Sequence, residues 1–182
     1  MRHNFSVVLA TWFYSGLIPP IITKGWAGTW GTLFSLPFCY LVYWMTNGVT
    51  VLSGLLILGA VLFSVFFLSA WVVPMAAASM EGWIRRNRSH RPEGKIAFDQ
   101  YEIVIDEVWG MLVTIWPMIV WQPDKWLLTL IIAFFLFRVF DGTKVWPASF
   151  FDGSRGWYAV MLDDFFAGLY ASLLMIPIAI FL

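Results

Sequence analysis

The stretch VLSGLLILGAVLFSVFFLSAWVV, residues 51 to 73, decides the class of fold, because it is 23 residues long and holds no formal charge. A helix rises about 1.5 Å per residue, so roughly 20 apolar residues cross the hydrocarbon core of a bilayer. Working outward, the whole 182-residue chain agrees, with 60% hydrophobic and 12% charged residues. Soluble domains sit nearer about 45–50% and 25%. Trp26, Trp30, Trp44, Trp121, Trp126, Trp146 and Trp157 fall near the ends of apolar runs, as expected of residues that favour the membrane interface.

The formal net charge is zero, which removes the field that nucleic-acid binding needs, and no basic stripe replaces it. No nucleic-acid partner is expected. Cys39 is the single cysteine, which excludes a disulfide framework and a CxxC site. The N-terminal apolar run is interrupted by Gly16, Pro19 and Pro20 and lacks a small-residue cleavage site, so it is expected to be retained.

Six apolar stretches stand out: Phe5 to Ile22, Leu33 to Met45, Val51 to Val73, Ile103 to Trp121, Trp126 to Phe140 and Tyr158 to Leu182. They predict an all-α integral membrane bundle of about six helices in a single domain, 1–182. The first is broken by prolines, and the second and fifth are short for a full crossing, so some elements are expected to be short or re-entrant. Tight turns are expected at TNGV (46–49) and QPDK (122–125).

The one long polar segment, Glu81 to Glu102, carries Arg85, Arg86, Arg88, Arg91 and Lys95 and reads as a basic loop. The positive-inside rule places it in the cytoplasm. Threading the apolar stretches outward from it brings Asp99, Glu102, Asp106, Glu107, Arg138, Asp141, Lys144, Asp152, Asp163 and Asp164 to the cytoplasmic face. Charges within apolar segments cost about 2.5–3.5 kcal/mol each at mid-bilayer, and less near the interface, so they tend to face one another or a wet cavity. Convergence is therefore expected.

Three motifs supply the candidate chemistry. VIDEVWGM places Asp106 and Glu107 at a helix start, and MLDDFFAGLY repeats an acid pair with Asp163 and Asp164. Adjacent helical residues point about 100° apart, so a shared ion needs further ligands from other helices. Interaction with the helix dipole is the alternative for the first pair. In FRVFDGTKVW, Arg138, Asp141 and Lys144 recur every three residues, which suits either an internal salt bridge or a mixed site for a cation and an anion. Hard divalent cations such as Mg²⁺ bind carboxylates and substrate phosphates, so that mixture suits phosphoryl chemistry.

KGWAGTWGT offers Lys24, Gly28, Thr29, Gly31 and Thr32 ahead of an apolar segment. This reads as a glycine–threonine loop whose N–H groups and hydroxyls could meet phosphate oxygens. It lacks the GxxxxGK[ST] order of a P-loop. His3 and His90 are the only histidines and are poorly placed for a histidine-nucleophile phosphatase. Carboxylates with a metal remain.

Together AGTWGTLFSLPF, IVIDEVWGM, FRVFDGTKVWP and MLDDFFAG occur in an order that resembles the bacterial phosphatidylglycerophosphatase A family. The resemblance implies a helical bundle and Mg²⁺-dependent removal of the terminal phosphate from phosphatidylglycerol phosphate in phospholipid biosynthesis. It implies a multi-pass protein of the bacterial inner membrane with a cytoplasmic-facing site. Glu107, Asp141, Asp163 and Asp164 are then the expected metal ligands, with Asp106 as a further ligand or base. Lys24, Arg138, Lys144 and the Gly28–Thr32 segment would hold phosphate. The readings set against this one are a phosphatase of another lipid phosphate, a small transporter and a lipid-binding protein without catalysis. The sequence sets no oligomeric state.

Overall fold

The structure is a computed structural model that describes residues 5–18, 26–87, 102–151 and 156–182, with the backbone alone for 81–87. The regular elements among the described residues are all helical: α1 (Phe5–Ala10), a 3-10 turn (Ser15–Leu17), α2 (Ala27–Thr46), α3 (Val51–Asn87), α4 (Ile105–Thr114), α5 (Trp116–Trp121), α6 (Trp126–Thr143), α7 (Ala148–Phe151) and α8 (Trp157–Phe181). Three of them, α6, α8 and the Val51–Met80 part of α3, are long and apolar enough to cross a membrane. Their outward faces carry Leu56, Phe63 and Phe67 of α3, Leu127 and Phe135 of α6, and Leu173 and Ile180 of α8. In water so much exposed apolar surface would drive aggregation, whereas acyl chains solvate it without cost. The chain is a multi-pass membrane helical bundle.

Several boundaries differ from the sequence reading, each for a local reason. The Ile103–Trp121 stretch is two helices, because Pro117 lies in the first turn of α5 and lacks the N–H that would continue the ladder from α4. The first stretch turns at Thr11–Tyr14, where Trp12, Phe13 and Tyr14 all have positive φ. Pro19 and Pro20 lie outside the described residues. The fifth stretch reaches 18 residues as α6 and is not short for a crossing. The polar segment is only partly a loop, since α3 continues through 81–87 and Glu102 is fully buried.

Inside the bundle, α8 is the central pillar, packed against α4 most closely and also against α6 and α7. Trp109 of α4 ties three helices together: its ring lies 5.2 Å from Phe66 of α3 and 5.3 Å from Phe165 of α8, and its indole N–H donates to the Leu62 carbonyl at 2.9 Å. A second link joins α1 to the start of α4, where the Val104 N–H donates to the Ala10 carbonyl.

The chain direction then fixes two chemically different ends. At one end the Lys125 N–H, just before α6, donates to the carbonyl of Leu182, just after α8. Gln122 reaches the Thr46 carbonyl near the same level. At the other end lie the starts of α2 and α4, the last turns of α6 and the early turns of α8. The charged motifs all sit at that second end.

Candidate active site

The site grows from four helices. The first is α2, whose N-cap is Trp26 and whose first intrahelical bond runs from the Trp30 N–H to the Trp26 carbonyl. Gly28, Thr29, Gly31 and Thr32 therefore occupy the first two turns of a helix, which corrects the expected glycine–threonine loop. Sequence alone suggested a loop because small residues dominate here and no Ser, Thr, Asp or Asn stands at the cap position. The N–H groups of Ala27, Gly28 and Thr29 precede the first intrahelical bond, so the helix start lies within the motif itself.

On this helix Gly28 and Thr32 share a face and meet α4. The Thr32 hydroxyl lies 2.8 Å from Glu107 Oε2 and 2.9 Å from the Gly28 carbonyl, either of which can take its single proton. Gly28 is there for space. A Cβ at that position would overlap Glu107 Oε1 and come within 3.0 Å of the Glu107 Cδ and 3.2 Å of Arg138 Nη1.

On α4, Asp106 and Glu107 stand in the first turn, where carboxylates are favoured by the helix dipole. They divide the work. Asp106 Oδ1 accepts the Glu107 N–H at 3.0 Å, while the Glu107 side chain turns inward and is only 8% exposed. Arg138, on α6, lies beside it: its Nη1 donates to Glu107 Oε2 at 2.6 Å and to the Thr32 hydroxyl at 3.3 Å, and pairs with Asp141 Oδ2 at 2.9 Å.

From α8 comes Asp164, also buried, at 4% exposure. One oxygen each from Glu107, Asp141 and Asp164 lies within 4.8 Å of the others. Asp163 points elsewhere, as the 100° step between neighbours requires. Its Oδ2 pairs with Lys144 Nζ at 2.7 Å, and its Oδ1 accepts the Asp164 N–H at 3.0 Å. Of the four expected ligands the structure thus brings three together and sets Asp163 against Lys144. Lys144 does not continue the ridge of Arg138 and Asp141, because it caps α6 in the left-handed conformation (φ 43°, ψ 54°). Lys24 lies outside the described residues, and Thr29 is half-buried.

Two further groups of residues position the site. Gly110 and Gly168 face each other across α4 and α8: a Cβ on Gly168 would overlap the Gly110 carbonyl, and one on Gly110 would lie 2.8 Å from the Asp164 carbonyl. Each glycine is about one turn beyond its carboxylate, Glu107 or Asp164, so backbone contact there draws the two acids together. That spacing of three and four residues was the available signal. The second group is Tyr170 with Phe140. The tyrosine hydroxyl donates to the Trp146 carbonyl at 2.8 Å and its ring stacks on Phe140, which holds the turn that carries Lys144.

Electrostatically the centre is unbalanced. Three formal carboxylates cluster where one guanidinium pairs with two of them, Glu107 and Asp141, which leaves an excess of negative charge among partly buried groups. Such a deficit is met by a cation, and the ligand atoms decide its type. Oxygens alone suit a hard ion, and oxygens this close can reach a single Mg²⁺ or Ca²⁺, which take ligands at about 2.0–2.6 Å. The residues fit a hard divalent cation.

The sequence profile of phosphatidylglycerophosphatase A matches residues 8–179. The chain belongs to that family. Among its relatives, phosphatidylglycerophosphatase A of Haemophilus influenzae is 29% identical over 174 residues, covering 94% of this chain and 86% of its own. Phosphatidylglycerophosphatase A of Escherichia coli is 28% identical over 171 residues, covering 91% of this chain and 78% of its own. No solved structure matches the chain. All four motifs, with the Glu107, Asp141 and Asp164 cluster they form, lie within the region that the family profile covers.

Proposed function

We propose that this phosphatase-family protein removes the terminal phosphate of phosphatidylglycerol phosphate, in a Mg²⁺-dependent reaction at the cytoplasmic face of the bacterial inner membrane. The observation that carries the proposal is the cluster of Glu107, Asp141 and Asp164 at one end of a bilayer-crossing bundle whose chain matches the family almost throughout. A single domain is supported by the hydrophobic core that all four helices of the site share.

Glu107, Asp141 and Asp164 would hold Mg²⁺, with Asp163 joining only if it leaves Lys144. Bound there, the ion supplies electrophilic polarisation of a phosphoryl oxygen. The chain's own residues do the rest. Arg138 and Lys144 neutralise the phosphate, and the free N–H groups at the start of α2 orient its oxygens, together with Lys24. Asp106, half-buried beside Glu107, accepts the proton of the attacking water. The water oxygen bonds to phosphorus, the bond from phosphorus to the glycerol oxygen breaks, and that oxygen leaves with a proton. The products are phosphatidylglycerol and inorganic phosphate. Exposed aliphatic faces of α6 and α8 keep the acyl chains in lipid.

Purified protein in detergent, offered phosphatidylglycerol phosphate, phosphatidic acid and a prenyl phosphate with Mg²⁺ or chelator, tests this reading. Release from phosphatidylglycerol phosphate in preference to the others, and only with Mg²⁺, is expected. Preference for another lipid phosphate overturns the substrate assignment. Absence of release from all three overturns the enzyme reading. Asp141→Asn and Asp164→Asn should each lose release while staying folded.

A further inference from the structure

Arg138 is placed unlike a residue that waits for substrate. Its Nη1 is within 3.3 Å of three oxygens: Glu107 Oε2, Asp141 Oδ2 and the Thr32 hydroxyl. Two of these belong to carboxylates of the group able to hold a cation. The side chain is 22% exposed, so the ion pairs are only partly weakened by solvent. A guanidinium and a divalent ion are both strongly positive, and two such centres sharing the same two carboxylates repel each other at short range.

We infer that Arg138 and the divalent cation compete for Glu107 and Asp141, so that loading the cation drives the guanidinium off these carboxylates and toward the phosphate. This deepens the proposed function and rests on its cation-dependent reading. It gives Arg138 two successive partners. Without the cation, the arginine keeps Glu107 and Asp141 together against their repulsion. With the cation present, that task passes to the ion, and the planar fork of the guanidinium can meet a phosphate, for which its geometry is suited. The phosphate cradle is thereby completed only when the cation is in place. The contact with the Thr32 hydroxyl, the longest of the three at 3.3 Å, gives the side chain an intermediate anchor on α2 during this exchange.

The test measures cation binding directly, without turnover. Mn²⁺ is titrated into wild type, Arg138→Gln and Arg138→Lys in detergent, and bound ion is read by electron paramagnetic resonance while thermal unfolding is followed with chelator and with Mg²⁺. Arg138→Gln should bind Mn²⁺ about tenfold more tightly than wild type, the size typical of coupling between two bound groups. It should also unfold at a lower temperature in chelator and gain more from Mg²⁺. Arg138→Lys, which retains the charge on a shorter side chain without the guanidinium fork, should bind with intermediate affinity, and it serves if the glutamine variant does not fold. Equal or weaker Mn²⁺ binding in the variants, with wild type still Mg²⁺-dependent in lipid dephosphorylation, overturns this inference alone. No divalent binding in wild type overturns it together with the cation-dependent reading.

Discussion

Gly28→Ala is the sharpest probe of the site, because it adds one methyl group and no chemistry. The new Cβ would overlap Glu107 Oε1 and stand 3.0 Å from its Cδ and 3.2 Å from Arg138 Nη1. Non-bonded heavy atoms prefer about 3.5–4.0 Å, so relieving the overlap with Oε1 requires the Glu107 carboxylate to retreat by ~1.5 Å. Displacements of about 1 Å in a catalytic constellation cost on the order of 100-fold in rate, about 2.7 kcal/mol of barrier. The same substitution favours the helix by up to about 1 kcal/mol, which offsets part of the local strain. Activity and stability should therefore separate: kcat falls about 100-fold while thermal unfolding in detergent stays close to wild type. Gly59→Ala is the matched control, since a Cβ at Gly59 of α3 meets nothing within 4 Å. It should keep full activity. The measurement is Mg²⁺-dependent phosphate release from phosphatidylglycerol phosphate, at saturating substrate, beside an unfolding curve. A folded Gly28→Ala protein with kcat within threefold of wild type would refute the view that this glycine makes room for Glu107.

Gly168→Ala should act in the opposite way, forcing α8 off the Gly110 carbonyl, costing ~1–3 kcal/mol of stability and lowering the unfolding temperature by several degrees; an unchanged curve would remove the glycine contact as the spacer between the two acids. Lys144→Gln should weaken apparent substrate affinity about tenfold with a smaller change in kcat, and should flatten the salt dependence of KM, as expected of a cation that meets phosphate near the surface. A large kcat loss with unaltered KM would instead make Lys144 a support for Asp163, its 2.7 Å partner.

Much of this architecture was legible because membrane burial imposes simple rules on composition. Val51 to Val73 could hardly be anything but a spanning helix, and the structure places it within α3. Convergence of charge was legible for the same reason: acids in apolar segments must find company, and Glu107, Asp141 and Asp164 do. The division of labour within each acid pair was not. Which of Asp163 and Asp164 faces the centre depends on the rotation of α8, and that is set by the Gly110–Gly168 contact between residues 58 positions apart. The start of α2 misled for a different reason. AGTWGT has a loop-like composition, yet its glycines serve neighbours on other helices: Gly28 clears Glu107, and Gly31 admits Val104, whose Cβ would be 2.5 Å from a Cβ there. Lys144 escaped because the ridge argument assumed the helix continued, while α6 ends at Thr143.

The uneven ends of the bundle carry one more consequence. Among the described residues only Asp124 and Lys125 are charged near the end where α6 begins, and the carboxylate cluster stands at the far side of helices that traverse the hydrocarbon core. A headgroup in the distant leaflet is therefore about 30 Å away from Glu107, Asp141 and Asp164, with acyl chains in between. The proposed phosphatase would serve one leaflet only. In sealed vesicles carrying the protein in a single orientation, about half of a symmetrically distributed lipid phosphate should remain intact until something carries it across.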